Sequence, residues 1–394
     1  MARDVFILGA GRSAVGTFAG SLSKMSPQDL GAQVLQSVIE RAAVDPESIA
    51  QAVVGNCIPT DERYAYVARL ATVNAGMSKN SVAMAVNRLC GSGLQAIVSA
   101  AQAVALGDCD RAVGGGIEVM SAGGYLSPAM RSGARMGDTS LIDTMVAALN
   151  DPFGVGHMGI TAENLAEKWN ISREEQDAFA AESHRRAAAA QEAGYFDSQI
   201  IPVTLKSRKG ETVFDKDEHI KAGTTAESLS SLRPAFKKDG TVTAGNASGI
   251  NDGAAFCVLG DEQAVKDSGK DPMARIVSYA IAGVPNEIMG EGPIPSSQAA
   301  LKKAGMSLSD MDVIESNEAF AAQALAVTRG LDLDPAKTNP NGGAIALGHP
   351  VGCSGALIAT KALYELQRTG GRHGLITMCI GGGQGIAMVV ENLS

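Results

Sequence analysis

The sequence carries one run of elements twice. In the first half a strand ends on Ala52-Val-Val-Gly55-Asn56, Cys90-Gly-Ser-Gly93 opens an alanine-rich helix, and the strand Ala112-Val-Gly-Gly-Gly116 follows. In the second half a strand ends on Val313-Ile-Glu-Ser316-Asn317, and Gly352-Cys-Ser-Gly355 opens a helix to Gln367. The strand Leu375–Cys379 then runs into Ile380-Gly-Gly-Gly383. Asn56 matches Asn317, and Ser92-Gly93 matches Ser354-Gly355. So ordered a match predicts two duplicated α/β halves. Between them, from about Met120 to Gly249, Gly, Pro, Ser and charged residues rise, which reads as an insertion in which helices predominate. The expected units are 1–119 with 250–272, the inserted 120–249, and 273–394.

Periodicity places the remaining elements. Further strands are expected at Val5–Leu8, Ala83–Val86, Ala255–Leu259, Ala274–Ala282 and Ile386–Glu391. Helices are expected at Pro27–Arg41, Ala65–Ala75, Gly93–Ala105, Ala162–Trp169, Arg173–Glu192, Ser296–Ala304, Ala319–Arg329 and Ser354–Gln367. With 394 residues, 45% hydrophobic and 19% charged, the chain is long enough for more than one core. Its net charge of −9 disfavours nucleic acid and anionic membrane surfaces. One stretch, Lys206 to Lys238, has eight basic and five acidic residues, a local +3 suited to a small polyanion or to a solvated loop. The apolar runs fall short of a membrane span, and Met1 leads straight into a strand with no signal peptide, so a cytoplasmic location is expected. Six scattered cysteines without CxxC spacing fit a reducing compartment better than a disulfide framework.

Chemistry concentrates in four segments. Cys90 follows a strand and opens a helix, where free N–H groups and positive potential favour a thiolate and lower its pKa from about 8.5. His349 sits in the glycine-rich Gly348-His-Pro-Val-Gly352, and imidazole is the best-matched base near neutral pH. Cys379 enters Ile380-Gly381-Gly-Gly383, whose N–H groups suit an oxyanion. Asn317, in Asn317-Glu-Ala-Phe320, serves either as a helix N-cap or as a holder of water or substrate. Gly9-Ala-Gly11-Arg-Ser-Ala14 fits a dinucleotide pattern, but the next helix begins near Pro27, too late to meet a pyrophosphate.

These four motifs, in this order, resemble those of the thiolase family over the length of the chain. The resemblance implies layered αβαβα halves with a loop domain over the site. It implies acetyl-CoA C-acetyltransferase (β-ketothiolase) activity: two acyl-CoAs condense reversibly to a 3-ketoacyl-CoA. Cys90 would carry the acyl group, His349 would deprotonate it, and Cys379 would be the second acid and base. Asn317 would hold a water, and the N–H groups of Cys90 and Gly381 would face an oxyanion. Coenzyme A would be substrate, with no permanently bound cofactor and no metal. It would meet His157, Met158, Lys221, Phe236, Ala244, Ser248, Met289 and Phe320. Lys221 stands where many relatives have Arg, which loses bidentate phosphate binding. Gly156, lacking a side chain before His157, suggests volume for five- and six-carbon 3-ketoacyl chains. A homotetramer, a dimer of dimers, is the family expectation. A ketoacyl synthase would pair its cysteine with two histidines, where this chain has Asn317 and Cys379. A non-enzymatic carrier would be expected to lose Cys90 or His349. A zinc site of Cys90, His349 and Cys379 is the third alternative.

Overall fold

The computed structural model describes residues 3–394. The principal strands are β1 (Phe6–Arg12), β2 (Gln51–Gly55), β3 (Val82–Val86), β4 (Arg111–Val119), β5 (Asn251–Gly260), β6 (Ala274–Gly283), β7 (Val313–Ser316), β8 (His373–Ile380) and β9 (Gln384–Asn392). The longer helices are α1 (Pro27–Arg41), α2 (Val67–Asn74), α3 (Ser92–Leu106), α4 (Met158–Lys168), α5 (Arg173–Glu192), α6 (Pro293–Ala304), α7 (Ala321–Leu331) and α8 (Ser354–Thr369).

The strands line up as β7-β8-β9-β6-β1-β5-β4-β2-β3, with Gly16–Thr17 paired to β5 off that path. The duplication is visible in the pairing. β2 runs parallel to β4 and β7 parallel to β8, while β4-β5-β1 and β8-β9-β6 are antiparallel. Where β3 flanks β2, a single parallel bridge from Thr338 flanks Ile314 of β7. The two halves join through a narrow seam, Phe6 with Arg275 and Ile7 with Ala274.

Five layers result. α1 and α2 cover one outer face over Leu30, Val34, Ile117 and Phe256. α6 and α7 belong to the other, over Leu301, Val327, Leu375 and Val389. α3 and α8 fill the middle, where Leu94, Ile97, Leu357 and Leu363 form a third core with both halves of the sheet. The window Leu89–Leu106 is in fact long and apolar enough to cross a membrane, contrary to the expectation that apolar runs fall short. Its apolarity reflects burial: a helix with a sheet on either side has little polar face.

The expected helices and strands all appear, with ends displaced by a few residues. Helices predominate in the insertion as expected, at Thr144–Ala148, α4, α5 and Ala226–Ser230, and Val203–Ser207 with Gly210–Phe214 adds a β-hairpin. Its following segment is tied to the first half by Arg12 and Asp217, a buried ion pair at 2.8 Å. The glycines of the dinucleotide-like pattern lie inside β1. A Cβ at Gly9 would come 2.9 Å from that of Ala42, so sheet packing accounts for that glycine.

The middle layer depends on missing side chains. A Cβ at Gly93 would lie 2.8 Å from Ala356 N, and one at Gly355 only 2.3 Å from Leu94 N. The two helix starts therefore meet backbone to backbone. Gly355→Ala must push α8 off α3, at a cost of about 1–3 kcal/mol. Gly223→Ala has open space around it and should cost less than about 0.5 kcal/mol. Denaturant midpoints of the two variants check this contrast.

Candidate active site

The turn from β3 into α3 is built for one residue. Leu89 adopts φ 44°, unusual for a residue with a side chain. Its N–H donates to Asn87 Oδ1 at 2.9 Å, and its carbonyl accepts from Ser92 Oγ at 2.7 Å. Gly91 passes so close to Ile380 that a Cβ would sit 2.4 Å from its Cδ1. Cys90, between them, is partly buried and packs against the cluster of Cys57, Ile58, Met120 and Val351. Its thiol is pushed up to about 11 by burial, while the N–H groups of Gly381 and of Cys90 itself pull the other way. This corrects the expectation of a lowered pKa. Burial outweighs the helix terminus here, so forming the thiolate needs a base.

His349 is buried two residues before Val351, which belongs to that cluster. Its Nδ1 lies 2.5 Å from Ser354 Oγ, and Ser354 donates to Pro350 O at 2.8 Å. A hydroxyl has one proton, so Nδ1 must be the donor to Ser354. The unprotonated nitrogen is then Nε2, which is buried with no partner. Burial lowers the imidazole to about 4, so it is neutral near pH 7 and free to accept a proton.

Cys379 is the last residue but one of β8, fully buried, its thiol pushed well up by burial and by the proximity of Cys90. Asn317 is not an N-cap. The helix starts at Ala321 with Phe320 in the cap position, and both Asn317 amide atoms are buried without partners. Asn317, Gly348 and Ser354 line one small cavity of about 10 Å³, the scale of a single water. Among the described residues no group of three His, Cys, Asp or Glu side chains is arranged to hold a metal ion.

The residues expected to contact coenzyme A fall into two groups. Met158, Met289 and Phe320 share a buried cluster with Cys379, and Phe236 packs against it. His157 caps α4, accepting from Gly159 N at 3.0 Å, and stacks on Phe236 at 4.6 Å. Segment 243–249 runs alongside, Ser248 N donating to Ala319 O at 3.0 Å, with Ala244 exposed. Lys221 belongs elsewhere: it is exposed, and its backbone N–H reaches His184 Nδ1 at 3.2 Å. Gly156 has φ +104°, and a side chain there would meet only Ile160, at 3.8 Å, while Phe153 is 73% exposed. Met158, Met289, Ala319 and Phe320 pack in one buried cluster with Cys379. Sequence reading missed Glu118, Asn251 and Ser354, which hold the His349 loop. An acid inside the apolar run Gly115-Gly-Ile-Glu118-Val was the available signal.

Two duplicated α/β halves packed through glycine-rich helix starts define a protein of the layered α/β class. The chain belongs to the thiolase family: the thiolase N-terminal domain matches residues 5–263 and the C-terminal domain residues 270–392. It is 55% identical to beta-ketothiolase BktB of Cupriavidus necator over the full length of both chains. It is 50% identical to the acetyl-CoA acetyltransferase of Allochromatium vinosum, again over all of both. The crystal structure of the Bacillus anthracis acetyl-CoA acetyltransferase superposes with a TM-score of 0.97 at 46% identity, covering 100% of this chain and 99% of that one. Human mitochondrial 3-ketoacyl-CoA thiolase in complex with CoA gives 0.96 at 44%, covering 100% and 98%.

The hydrogen-bond chain fixes a tautomer that can be observed. In ¹⁵N-histidine spectra His349 should appear as the Nδ1–H form and stay neutral down to about pH 5. A midpoint near the ordinary 6.5, or an Nε2–H form, would contradict it.

Proposed function

We propose that this protein is an acetyl-CoA C-acetyltransferase, a β-ketothiolase, that condenses two acyl-CoAs reversibly into a 3-ketoacyl-CoA and CoA. The observation that carries the reading is the unpartnered, buried Nε2 of a neutral His349, on the loop whose Val351 packs in one cluster with Cys90.

In this reading His349 Nε2 takes the Cys90 proton, and the thiolate attacks the thioester carbonyl. The N–H groups of Cys90 and Gly381 stabilise the tetrahedral oxyanion, each such donor contributing about 3 kcal/mol. As the acyl–Cys90 bond forms, the CoA thiolate leaves and takes the Cys379 proton. Cys379 is thereby a thiolate when the second acetyl-CoA enters. It removes the Cα proton, and the enolate oxygen is held by His349 and a water on Asn317. The new C–C bond forms at the acyl carbonyl, and Cys90 leaves as thiolate to be reprotonated. A buried Cys379 starts with the proton that the first step needs, and once it has given it up its thiolate is a strong base for the second. Thiolysis is the reverse.

Coenzyme A is substrate here and no permanently bound group is invoked. His157, Met158, Phe236, Ala244, Ser248, Met289 and Phe320 bind its pantetheine and acyl end, and Lys221 meets its phosphates. Short-chain 3-ketoacyl-CoAs are the substrates of the reverse direction. The units 1–119 with 250–272, 120–249 and 273–394 divide the work, the middle one covering the site. We assign a homotetramer and a cytoplasmic location. The free edge of β3, with Val82 61% and Met84 46% exposed, supports one contact between copies. Exposed Tyr125, Leu126 and Leu141 in the insertion support the other.

The division of roles has a direct test. Cys379→Ser should still take an acetyl group from acetyl-CoA but should exchange its Cα protons with D₂O at least about 10²-fold more slowly. His349→Ala should impair both half-reactions. Mass spectrometry follows acylation and ¹H NMR follows exchange; normal exchange in Cys379→Ser would remove it from the role of base.

A further inference from the structure

The loop that carries His349 belongs to the second half of the chain, yet it rests on the first. Beneath it lies a floor of glycines. A Cβ at Gly116 would be 2.1 Å from Gly352 O, one at Gly55 2.7 Å from the same oxygen, and one at Gly253 3.3 Å from Pro350 Cγ. Gly55 pairs with Gly116 across β2 and β4, and Gly253 with Glu118 across β5 and β4. Residues two apart on a strand share a face, so Gly116, Glu118, Asn251 and Gly253 all look toward the loop.

The two side chains rising from that floor grip the loop at its ends. Asn251 Oδ1 accepts from His349 N at 2.9 Å, and its Nδ2 donates to Gly16 O at 3.0 Å. Both ends of the amide are engaged, so its orientation is fixed. Glu118 Oε2 accepts from Gly352 N at 2.8 Å and from Cys57 N at 3.0 Å. Its Oε1 accepts from Asn56 Nδ2 at 3.0 Å and Ile58 N at 3.1 Å. All of these partners are N–H donors, so the carboxylate works purely as an acceptor. Both residues are fully buried. Neither has a place in the proton transfers.

We propose that Asn251 and Glu118 are positioning residues that clamp the two ends of the His349 loop from the first half, aiming His349 at Cys90. Cys57, tied by its N–H to Glu118, also hydrogen-bonds through Sγ with Ser92 Oγ and Leu89 O, which frame Cys90. One carboxylate thus references both the nucleophile's turn and the base's loop to the same strand. The inference rests on the reading of His349 as the base.

The test uses the full-length enzyme and reads the base's effect on the nucleophile: the rate of Cys90 alkylation by iodoacetamide against pH. Asn251→Ala frees the His349 end. Because misplacing a catalytic group by about 1 Å can cost 10²-fold, kcat should fall by roughly that factor, with KM for CoA within about threefold. The alkylation midpoint should rise by at least about half a pH unit. Glu118→Gln keeps the shape but turns an amide nitrogen toward N–H donors, and should show the same split; it decides the matter if Asn251→Ala does not fold. A folded variant with the wild-type alkylation midpoint overturns the clamp. His349→Ala is the control. If it moves the midpoint and the other two do not, the clamp alone is wrong; if it moves nothing, the base assignment fails and the clamp with it.

Discussion

Two helix starts that meet backbone to backbone set the rest of this structure. Gly93 and Gly355 hold corresponding places in the duplicated halves, and neither could carry a Cβ without meeting the other helix. A contact that close brings the turn before α3 and the turn before α8 to the same place. Cys90 stands on one and His349 on the other. Neither half contains the pair, so the chemistry arises only from the duplicated packing, and the middle layer is both core and site scaffold.

Burial then governs the electrostatics. A helix N-terminus stabilises an anion by up to about 1–2 kcal/mol, but burial disfavours the charged thiolate, and Cys90 is pushed up to about 11. The same burial lowers His349 to about 4 and keeps Cys379 protonated. The resting site is therefore neutral: two thiols and a neutral imidazole, with an asparagine whose amide has no protein partner. In the proposed reaction each group starts in the protonation state its first step requires.

Much of this was legible in the sequence. The strand–turn–helix order around Cys90 and around Gly352-Cys-Ser-Gly355 announced the duplication, because glycine at a helix start and apolar strands are local signals. The four loaded motifs were visible for the same reason. What local reading misjudged depends on distance in the chain. The pKa of Cys90 follows from burial by residues such as Val351 and Ile58, far away in sequence. Asn317 reads locally as either a cap or a holder of water or substrate, and only the helix start at Ala321 removes the cap. Glu118 and Asn251 act across the two halves, and a single strand's pattern says only that a polar residue sits in an apolar run.

The central claim is that the cysteine opening α3 carries the acyl group and the histidine opening onto α8 frees it to do so. Incubation with acetyl-CoA, acid quench and peptide mapping by mass spectrometry test it most directly. The account predicts one acetyl group per chain, on the peptide containing Cys90, and none in Cys90→Ser. Acetyl found on Cys379 or another cysteine, or retained in Cys90→Ser, would contradict it.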